Sequence, residues 1–386
     1  MNRTVSIKLE VEDDHLLREL SKVFMDALNF ICDLVWEPKV FAHNAMHHIV
    51  YYPTRDRYPG LKANHVSCAM HMVSGALQAG RTTARKRKRP QTKPKFISPV
   101  IGFDMRTSRI TADHCTLSTL GERIRIDYQL SPYQSQFFDG TWKIGGSKLV
   151  RRKKGWFLQV SVSKDGPSPK EGNRALGIDQ GIRQIAVTSD NRFFPAGRLN
   201  LRTAQMRQRR GELKSKGTRS ARRALQRLSR RENRFRTDVL RCTVKSILSE
   251  CADIDVIVLE DLSKIEGYKG RNMNRKLSNW GFAQFRSILT YKAEELGIRI
   301  EAIDARYTSQ KCSSCGQIRK ASRVQAQHLY RCPCGISLND DLNATLTIRN
   351  NYALAIGEER GVSVKDPNVP TLGSGTSHKG LSPCSA

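Results

Sequence analysis

Apolar positions in the first third of the chain recur at helical spacing. From Leu16 to Leu34 they fall three or four residues apart, which predicts an amphipathic helix over residues 14–36. A second helix with weaker periodicity is predicted over residues 61–82. The basic, proline-containing run at residues 85–95 is either a solvated linker or a phosphate-binding loop.

The pattern changes to short alternating segments between residues 97 and 163. Ile124–Tyr128 and Trp156–Val162 alternate between apolar and polar side chains, as strands with one buried face do. Val5–Leu9 has the same pattern. Together these segments predict a small β-barrel or curled sheet that is interrupted by helices.

From near residue 174 the pattern is that of a mixed α/β domain. In chain order it predicts a β-hairpin, a helical hairpin with its turn near Gly217, a buried strand, a helix and a second strand, over residues 175–188, 200–236, 254–259, 282–296 and 298–303. From residue 357 onward Gly, Ser, Pro and Thr dominate, and we expect a disordered tail over residues 357–386.

The length of the chain indicates the number of domains, and its charge indicates the kind of molecule it binds. The 386 residues suffice for two or three domains, and 66 Lys and Arg against 36 Asp and Glu give a formal charge of +30. Such an excess favours a polyanionic partner, because cations placed on phosphates release condensed counterions. No apolar run approaches 18 residues and no secretory signal is visible. We therefore expect a cytoplasmic protein with no membrane partner.

The helical hairpin at residues 200–236 is strongly basic. It carries 14 Lys or Arg and two acids, whereas an ordinary solvated helix face interleaves both signs. Contact with a nucleic acid is therefore favoured over a plain solvated surface. The candidate nucleic-acid-binding residues are Arg207, Arg209, Arg210, Arg222, Arg223, Arg230 and Arg231 in the hairpin, with Arg87 and Lys88 of the earlier basic run.

Three acids stand where a carboxylate is costly to bury. Asp179 follows a predicted central strand, Glu260 directly ends the apolar run 256–259, and Asp341 precedes a predicted helix at 342–348. Each has an ordinary alternative. Asp179 could fix a turn, Glu260 could cap a segment or pair with an arginine, and Asp341 could be a favourable first-turn residue of its helix.

Gathering three carboxylates would raise the pKa of each through mutual repulsion, and divalent cations remove that penalty. Two ions bridged by carboxylates can activate a water on one side of a phosphodiester and stabilise the leaving oxygen on the other. RNase H-like nucleases use this arrangement. The acids therefore predict a two-metal magnesium site.

Four of the ten cysteines are clustered. Cys312 and Cys315 have zinc-knuckle spacing and are followed by Gly316, and Cys332 and Cys334 form a tighter Cys-x-Cys pair. We predict a structural zinc site with four cysteine ligands rather than a redox pair, with His328 as an alternative ligand. The other six cysteines fit small apolar positions, except Cys384 in the tail.

Four motifs resemble the TnpB family, the insertion-sequence-encoded RNA-guided nucleases related to type V CRISPR effectors. They are Gly177–Gly181, Val258–Leu262, Tyr307–Gly316 and Asp341–Ala344, with Trp280 and Tyr291–Ala293 as supporting features. The last motif runs Asn-Asp-Asp-Leu-Asn-Ala from Asn339, where the family has an acid in place of this asparagine.

The resemblance implies an α/β plus β-barrel multidomain protein. A RuvC-like (RNase H-like) nuclease domain would comprise residues 174–308 and 336–356, with a zinc-ribbon insertion at 309–335. An N-terminal wedge-like β-barrel would comprise residues 1–13 and 97–166. A helical recognition lobe with a basic linker would be inserted at residues 14–96.

In function, the resemblance implies an RNA-guided DNA endonuclease with Asp179, Glu260 and Asp341 as catalytic, magnesium-binding residues. Its partners would be a guide RNA from the transposon end, double-stranded target DNA beside a short motif, and the displaced strand. The alternatives are a nuclease-inactive guide-dependent repressor, a transposase acting directly on DNA ends and a compact type V CRISPR effector.

Overall fold

The computed structural model describes residues 1–98, 100–261 and 281–357. The chain divides into two compact units between Asp165 and Gly166, a few residues before the predicted start of the second domain. The predicted disordered tail, Cys384, Leu262 and Trp280 lie outside the described residues, so these predictions stay untested.

Three long helices follow the first strand of the first unit: α1 (His15–Trp36), α2 (His43–Arg57) and α3 (Ala63–Arg87). The predicted first helix is confirmed as α1. Sequence analysis missed α2, which contains Pro53 and buries only Met46, Val50 and Thr54 along one edge. The predicted second helix is extended, because α3 includes the start of the basic run and ends where Lys88 adopts φ 49°. Residues 85–87 are therefore helical, so both the linker and the loop interpretation are wrong for them.

Two antiparallel sheets complete the first unit. One has the order β1-β7-β6-β2 and the other β3-β4-β5, and both share one apolar core with α1, α2 and α3. The predicted strands near Val5, Ile124 and Trp156 are confirmed. The bounds are β1 Asn2–Leu9, β2 Val100–Phe103, β3 Ser108–Ile110, β4 His114–Ser118, β5 Arg123–Asp127, a short helix α4 Pro132–Ser135, β6 Lys143–Arg152 and β7 Gly155–Ser163.

A five-stranded mixed sheet forms the centre of the second unit, in the order β10-β9-β8-β11-β12. Strands β8, β9 and β10 are antiparallel neighbours, whereas β8, β11 and β12 run parallel. The predicted hairpin and both predicted strands are confirmed, and the short β10 was missed. The bounds are β8 Ala175–Asp179, β9 Gln184–Thr188, β10 Phe193–Pro195, β11 Val256–Glu260 and β12 Arg299–Ile303.

Helices cover both faces of this sheet. The predicted basic hairpin is confirmed as α5 (Gly197–Ser215) and α6 (Arg219–Leu248), which meet at Gly217 with φ 61°. Helix α6 and α7 (Phe282–Glu294) pack on one face, against Ile257 and Leu259 of β11. Helix α8 (Asp340–Ala355) packs on the other face, against Val256 and Val258. Within the described ranges, no helix is both long and apolar enough to cross a bilayer.

Gly177 allows α8 to lie unusually close to β8. A Cβ atom at this position would lie 2.3 Å from the Thr345 backbone oxygen and 3.0 Å from the Arg349 backbone nitrogen. Backbone atoms cannot move aside as a flexible side chain can, so any larger residue would displace the helix. The glycine of the Gly177–Gly181 motif therefore sets the distance between Asp179 and the helix that carries Asp341.

A small insertion separates β12 from α8. It contains three short antiparallel strands, β13 (Arg323–Val324), β14 (Leu329–Arg331) and β15 (Ser337–Asn339). Its small core combines the fully buried Tyr330 with cysteines of the predicted zinc site. An insertion this small has too little apolar area to hold its fold alone, which is the usual reason for a structural metal.

His65 of α3 is fully buried in the core of the first unit. Its ring meets Phe24 and Phe103 edge to face, with ring centroids 6.3 and 5.4 Å away, and neither ring nitrogen has a hydrogen-bond partner among the described residues. Burial lowers the pKa of His65 from 6.5 to about 4. The folded first unit thus requires a neutral imidazole.

The buried imidazole predicts acid sensitivity of the first unit. Because the folded pKa lies below the unfolded one, stability is complete above pH 6.5 and falls as the pH drops towards 4, by roughly 3 kcal/mol in all. His65→Leu should flatten this decline, and the control His48→Leu, at an exposed position, should not. Urea unfolding followed by tryptophan fluorescence measures it, since Trp36, Trp142 and Trp156 lie in this unit. Equal pH slopes for wild type and His65→Leu would contradict the assignment.

Candidate functional site

Two of the predicted acids end neighbouring parallel strands. Asp179 is the last residue of β8 and Glu260 the last residue of β11, and because these strands pair in parallel their carboxyl ends lie at the same edge of the sheet. Asp341 lies in the first turn of α8, the helix that packs over β8. Three separate elements thus bring the three predicted acids to one place.

The three carboxyl groups resist ionisation at this edge. Burial raises the pKa of Asp179 well above its usual value, and the charges of Glu260 and Asp341 raise it further. Burial also raises the pKa of Glu260 and of Asp341. Such mutual repulsion stores unfavourable energy in the folded chain, which a bound cation would relieve.

Polar neighbours hold two of the acids. Thr308, only 3% exposed, donates its hydroxyl hydrogen bond to Oε1 of Glu260. Arg323 of the insertion lies 3.8 Å from Oδ1 of Asp341, where its charge lowers the pKa of all three acids. Among the described residues Glu260 forms no ion pair with an arginine; Thr308 donates to its carboxylate, and Arg323 acts on it through its charge.

The three polar residues Asn339, Asp340 and Asp341 at the start of α8 have different roles. Asn339 caps α8, its Oδ1 accepting hydrogen bonds from the backbone N–H groups of Asp341 and Leu342 at 2.9 and 3.2 Å. Asp340 is 1% exposed and accepts a 2.9 Å hydrogen bond from Nε of Arg323. Asparagine suits position 339 because the position serves the helix cap. Asp340 is held by its arginine, which leaves Asp341 as the acid of this turn that faces the other two.

The donor set at this edge fits hard divalent cations. Carboxylate oxygens are the preferred protein ligands of magnesium, and the repulsion among these three supplies the reason for a cation. Over the described parts of the chain, the one group of three or more ligand side chains whose donor atoms all lie within 4.8 Å is the cysteine cluster. The three acids are therefore more widely spaced than the thiols.

The four clustered cysteines do form such a group. Cys312 Sγ lies 3.7 Å from Cys334 Sγ, and Cys315 Sγ lies 3.6 Å from Cys332 Sγ. Each pair sits on a tight turn that ends in a glycine with positive φ, Gly316 at 74° and Gly335 at 98°. The tight Cys-x-Cys spacing thus still allows four thiols to converge, and these four residues could hold one tetrahedral zinc ion.

The thiols differ in acidity. Burial raises the pKa of Cys312 to about 12, whereas the backbone N–H of Ile336 lowers that of Cys334 to about 7. Zinc binding would deprotonate both. His328 does not belong to the group: its Nδ1 lies 4.0 Å from Oδ1 of Asp340, so the alternative ligand considered from sequence is wrong.

The basic hairpin contains two kinds of arginine. Arg210 of α5 forms a half-buried ion pair with Glu232 of α6, and Arg209 pairs with Glu212 within α5. Arg210 therefore joins the two helices, and Arg209 is paired along its own helix, unlike the remainder of the predicted set. The other seven predicted nucleic-acid-binding residues are exposed and have no ion-pair partner in the described part of the chain. They are Arg207, Arg222, Arg223, Arg230 and Arg231 of the hairpin, with Arg87 and Lys88 of the earlier basic run.

Sequence reasoning missed Thr308, Arg323 and Asp340 as components of the site. Thr308 lies in the Tyr307–Gly316 motif. The cysteines of this motif have a metal-site spacing, whereas a single threonine hydroxyl forms no pattern. Arg323 lies between the two cysteine pairs, and no local pattern marks its contact with the Asp340–Asp341 turn. Only the folding of the insertion back on the sheet creates these contacts.

The cysteine geometry predicts that Cys312→Ser loses zinc and destabilises the second unit. Zinc binding to four thiolates is folding free energy for so small an insertion, and its loss should lower the melting temperature by about 10 °C. Metal analysis should give one zinc per wild-type chain. The control Cys242→Ser, outside the cluster, should keep that zinc. Zinc-free wild-type protein with an unchanged melting curve for Cys312→Ser would refute the site.

Two family models match between residues 157 and 348. The OrfB_IS605 family, described as a probable transposase, matches residues 157–266, and the Cas12f1-like TNB domain matches residues 282–348. The first match contains Asp179, Glu260 and the basic hairpin. The second contains the cysteine cluster and Asp341.

Curated relatives give the same picture. The chain is 28% identical over 241 residues to the CRISPR-associated endodeoxyribonuclease Cas12f1 of Sulfoacidibacillus thermotolerans, covering 55% of this chain and 54% of that protein. It is 24% identical over 249 residues to a TnpB-like protein of Methanocaldococcus jannaschii, covering 58% of this chain and 85% of that one. The matched stretch spans about half the length of the Cas12f1 relatives.

Among solved structures, the fold is similar to the protein in a cryo-EM structure of a Cas12f1–sgRNA–target DNA complex. The TM-score is 0.60 at 14% identity, covering 87% of this chain and 81% of that one. The mixed α/β architecture with a TNB-type insertion is therefore shared with this effector. The family models and the curated relatives together confirm that the chain resembles the TnpB family, as its motifs predict.

Proposed function

We propose that the protein is an RNA-guided DNA endonuclease that hydrolyses phosphodiester bonds with divalent metal ions. The observation that carries the proposal is the meeting of Asp179, Glu260 and Asp341 from three separate elements, where burial raises the pKa of each carboxyl group and the charges of the other two raise that of Asp179 further. Burying three carboxyl groups at one edge costs stability, and metal-dependent phosphodiester cleavage uses such a group of acids.

The strand order supports an RNase H-like, RuvC-like nuclease domain. Three antiparallel strands followed by two parallel ones, with acids at the ends of the first and fourth, match that fold. The insertion falls between the second acid and the third. In the first unit, we propose that the two sheets form the wedge-like barrel and that α1, α2 and α3 form the recognition lobe.

In the proposed mechanism Asp179, Glu260 and Asp341 would hold two magnesium ions, which would supply activation of a water and charge stabilisation for the leaving oxygen. Thr308 holds one oxygen of Glu260 by a hydrogen bond and leaves the other free as a ligand. Arg323 places a positive charge beside Asp341, where it lowers the pKa of the acids and favours their ionised form. The exposed arginines of α5 and α6 bind backbone phosphates.

Guidance by RNA is proposed from the relatives. Cas12f1 is named as a CRISPR-associated endodeoxyribonuclease, and the structural neighbour was solved with an sgRNA and target DNA. In this chain the partners would be a guide RNA from the transposon end, duplex target DNA beside a short motif, and the displaced strand. Base pairing would then read the sequence while the protein's cations hold the backbone.

The first experiment is to purify the full chain from cells that carry its native flanking DNA and to sequence the RNA that co-purifies. The complex is then tested with magnesium on a DNA library matching the 3′ end of that RNA. A discrete RNA with guided cutting supports the proposal. Guided binding without cutting would support a nuclease-inactive repressor, and the absence of a specific RNA would point to an enzyme that acts directly on DNA ends.

Asp179→Asn should reduce cleavage by at least about a thousandfold while guide RNA and target DNA remain bound, because only a metal ligand is lost. It should also raise the melting temperature in EDTA, since one repelling charge is removed. The control Asp253→Asn lies just before β11, away from the acid edge, and is 74% exposed. It should cut normally. Loss of target binding in Asp179→Asn would contradict a purely catalytic role.

Changing Arg222, Arg223, Arg230 and Arg231 to glutamine should weaken RNA binding and flatten its salt dependence by roughly 0.7 per lost phosphate contact. Lysine at the same four positions is the matched control, because it keeps the charge and should keep the slope. Filter binding across a range of salt concentrations measures both. An unchanged slope in the glutamine variant would show that this face does not touch phosphates.

A further inference from the structure

One short segment, residues 307–313, contacts both sides of the proposed catalytic edge. Near its start Thr308 is bonded to Glu260, and at its end the first zinc knuckle is bonded to α8, which carries Asp341. We propose that Thr308 and Asn343 are positioning residues and that the zinc ion, through this segment, sets the spacing between Glu260 and Asp341. The proposal deepens the proposed function and rests on it for the role of the acids.

The Thr308 end of the segment is rigid. Tyr307 adopts φ 60°, a conformation unfavourable for an aromatic residue, and its carbonyl oxygen accepts hydrogen bonds from the N–H groups of Gln310 and Lys311, both at 2.8 Å. This turn places the Thr308 hydroxyl in a nearly water-free position against Glu260. An unfavourable backbone conformation such as that of Tyr307 is typical of positions that serve a function.

The other end is tied to α8 through the backbone on both sides of Cys312. Asn343 is fully buried; its Oδ1 accepts a 3.0 Å hydrogen bond from Ser313 N–H, and its Nδ2 donates a 2.8 Å bond to the Lys311 carbonyl. Two turns further along α8, Asn350 donates a 2.8 Å bond to the Ser313 carbonyl. The knuckle and the helix therefore move as one body.

Position 343 demands an amide. The same side chain must accept from one backbone group and donate to another, and few side chains can do both in this geometry. Asparagine is a poor residue for a helix interior, so local propensity does not explain it. Asn343 lies two residues after Asp341, in the same helical turn, so a shift of the knuckle is transmitted directly to that acid.

Zinc is the element that fixes the knuckle. With four thiolates on one ion, Lys311 and Ser313 are held in the geometry that Asn343 requires. Without the ion, the turn that carries Cys312 and Cys315 is no longer held closed. Asn343 and Asn350 then lose their hydrogen bonds to the backbone of Lys311 and Ser313. The four-cysteine site has no position open for chemistry, yet its occupancy would still control the catalytic geometry.

Hydrogen exchange of the full chain, with and without zinc chelation, tests the coupling independently of cutting. In the wild type, zinc removal should increase exchange in residues 307–313 and in the first two turns of α8, while α6 serves as the internal reference. Asn343→Ala should keep one zinc per chain and already show the fast exchange. An unchanged α8 after chelation, or an equal increase in α6, would overturn the proposal.

Manganese binding measured by electron paramagnetic resonance provides a second readout. Thr308→Val keeps the shape of the side chain but loses the bond to Glu260, and it should bind manganese about tenfold more weakly, as for other residues that orient metal ligands. Thr345→Val is the matched control: it is fully buried in α8, and the partner of its hydroxyl among the described residues is the Leu342 carbonyl. Equal affinities for the two variants would overturn the role of Thr308.

The two proposals fail in different ways. If the wild type binds manganese and shows zinc-dependent exchange but cuts no guided target, the RNA-guided function is refuted and the coupling stands. If it cuts guided DNA while chelation leaves α8 unchanged, the function stands and the coupling is refuted.

Discussion

Electrostatic repulsion among three carboxyl groups is the constraint on which the second unit depends. Asp179, Glu260 and Asp341 are held at one edge of a sheet although burial opposes the ionisation of all three and the other two acids oppose that of Asp179. Left to itself, the chain would relax by moving α8 away. Gly177 counteracts this by allowing close backbone contact, and Arg323 counteracts it with a positive charge beside the turn that carries Asp341. The folded state therefore retains a local strain that cation binding would relieve.

Sequence patterns predicted those parts of the second unit that depend on residues adjacent in the chain. An apolar run that ends in an acid marks Glu260, and two cysteine pairs beside glycines mark the metal site. The partners that hold these groups are not local. Thr308 reaches Glu260 across 48 positions, and Asn343 reaches Ser313 across 30, so no periodicity in either segment records the contact. Helix α2 was missed for a related reason, because its stability comes from packing a narrow apolar edge rather than from its own propensities.

The Asp340–Asp341 pair illustrates how neighbouring residues of one type acquire different tasks. Asp340 is buried against Arg323, whereas Asp341, one position along the helix, is turned towards the other acids. Sequence register favoured Asp341 but gave no task to Asp340. The structure supplies one: Asp340 fixes the arginine that the acid edge needs, and Asn339 can replace an acid because the cap requires only a side-chain oxygen.

The glutamates of the basic hairpin, like Asp340, are paired with arginines. Its two glutamates are both engaged within the hairpin, Glu232 with Arg210 across the helix pair and Glu212 with Arg209 along α5. Neither is left to screen the remaining cations, so the exposed arginines of α6 present a field of one sign to the solvent. A hairpin built only for stability would distribute its acids among those arginines. The Arg210–Glu232 pair joins the two helices, and the exposed arginines of α6 remain available to a polyanion, which is the physical basis for assigning that face to nucleic acid.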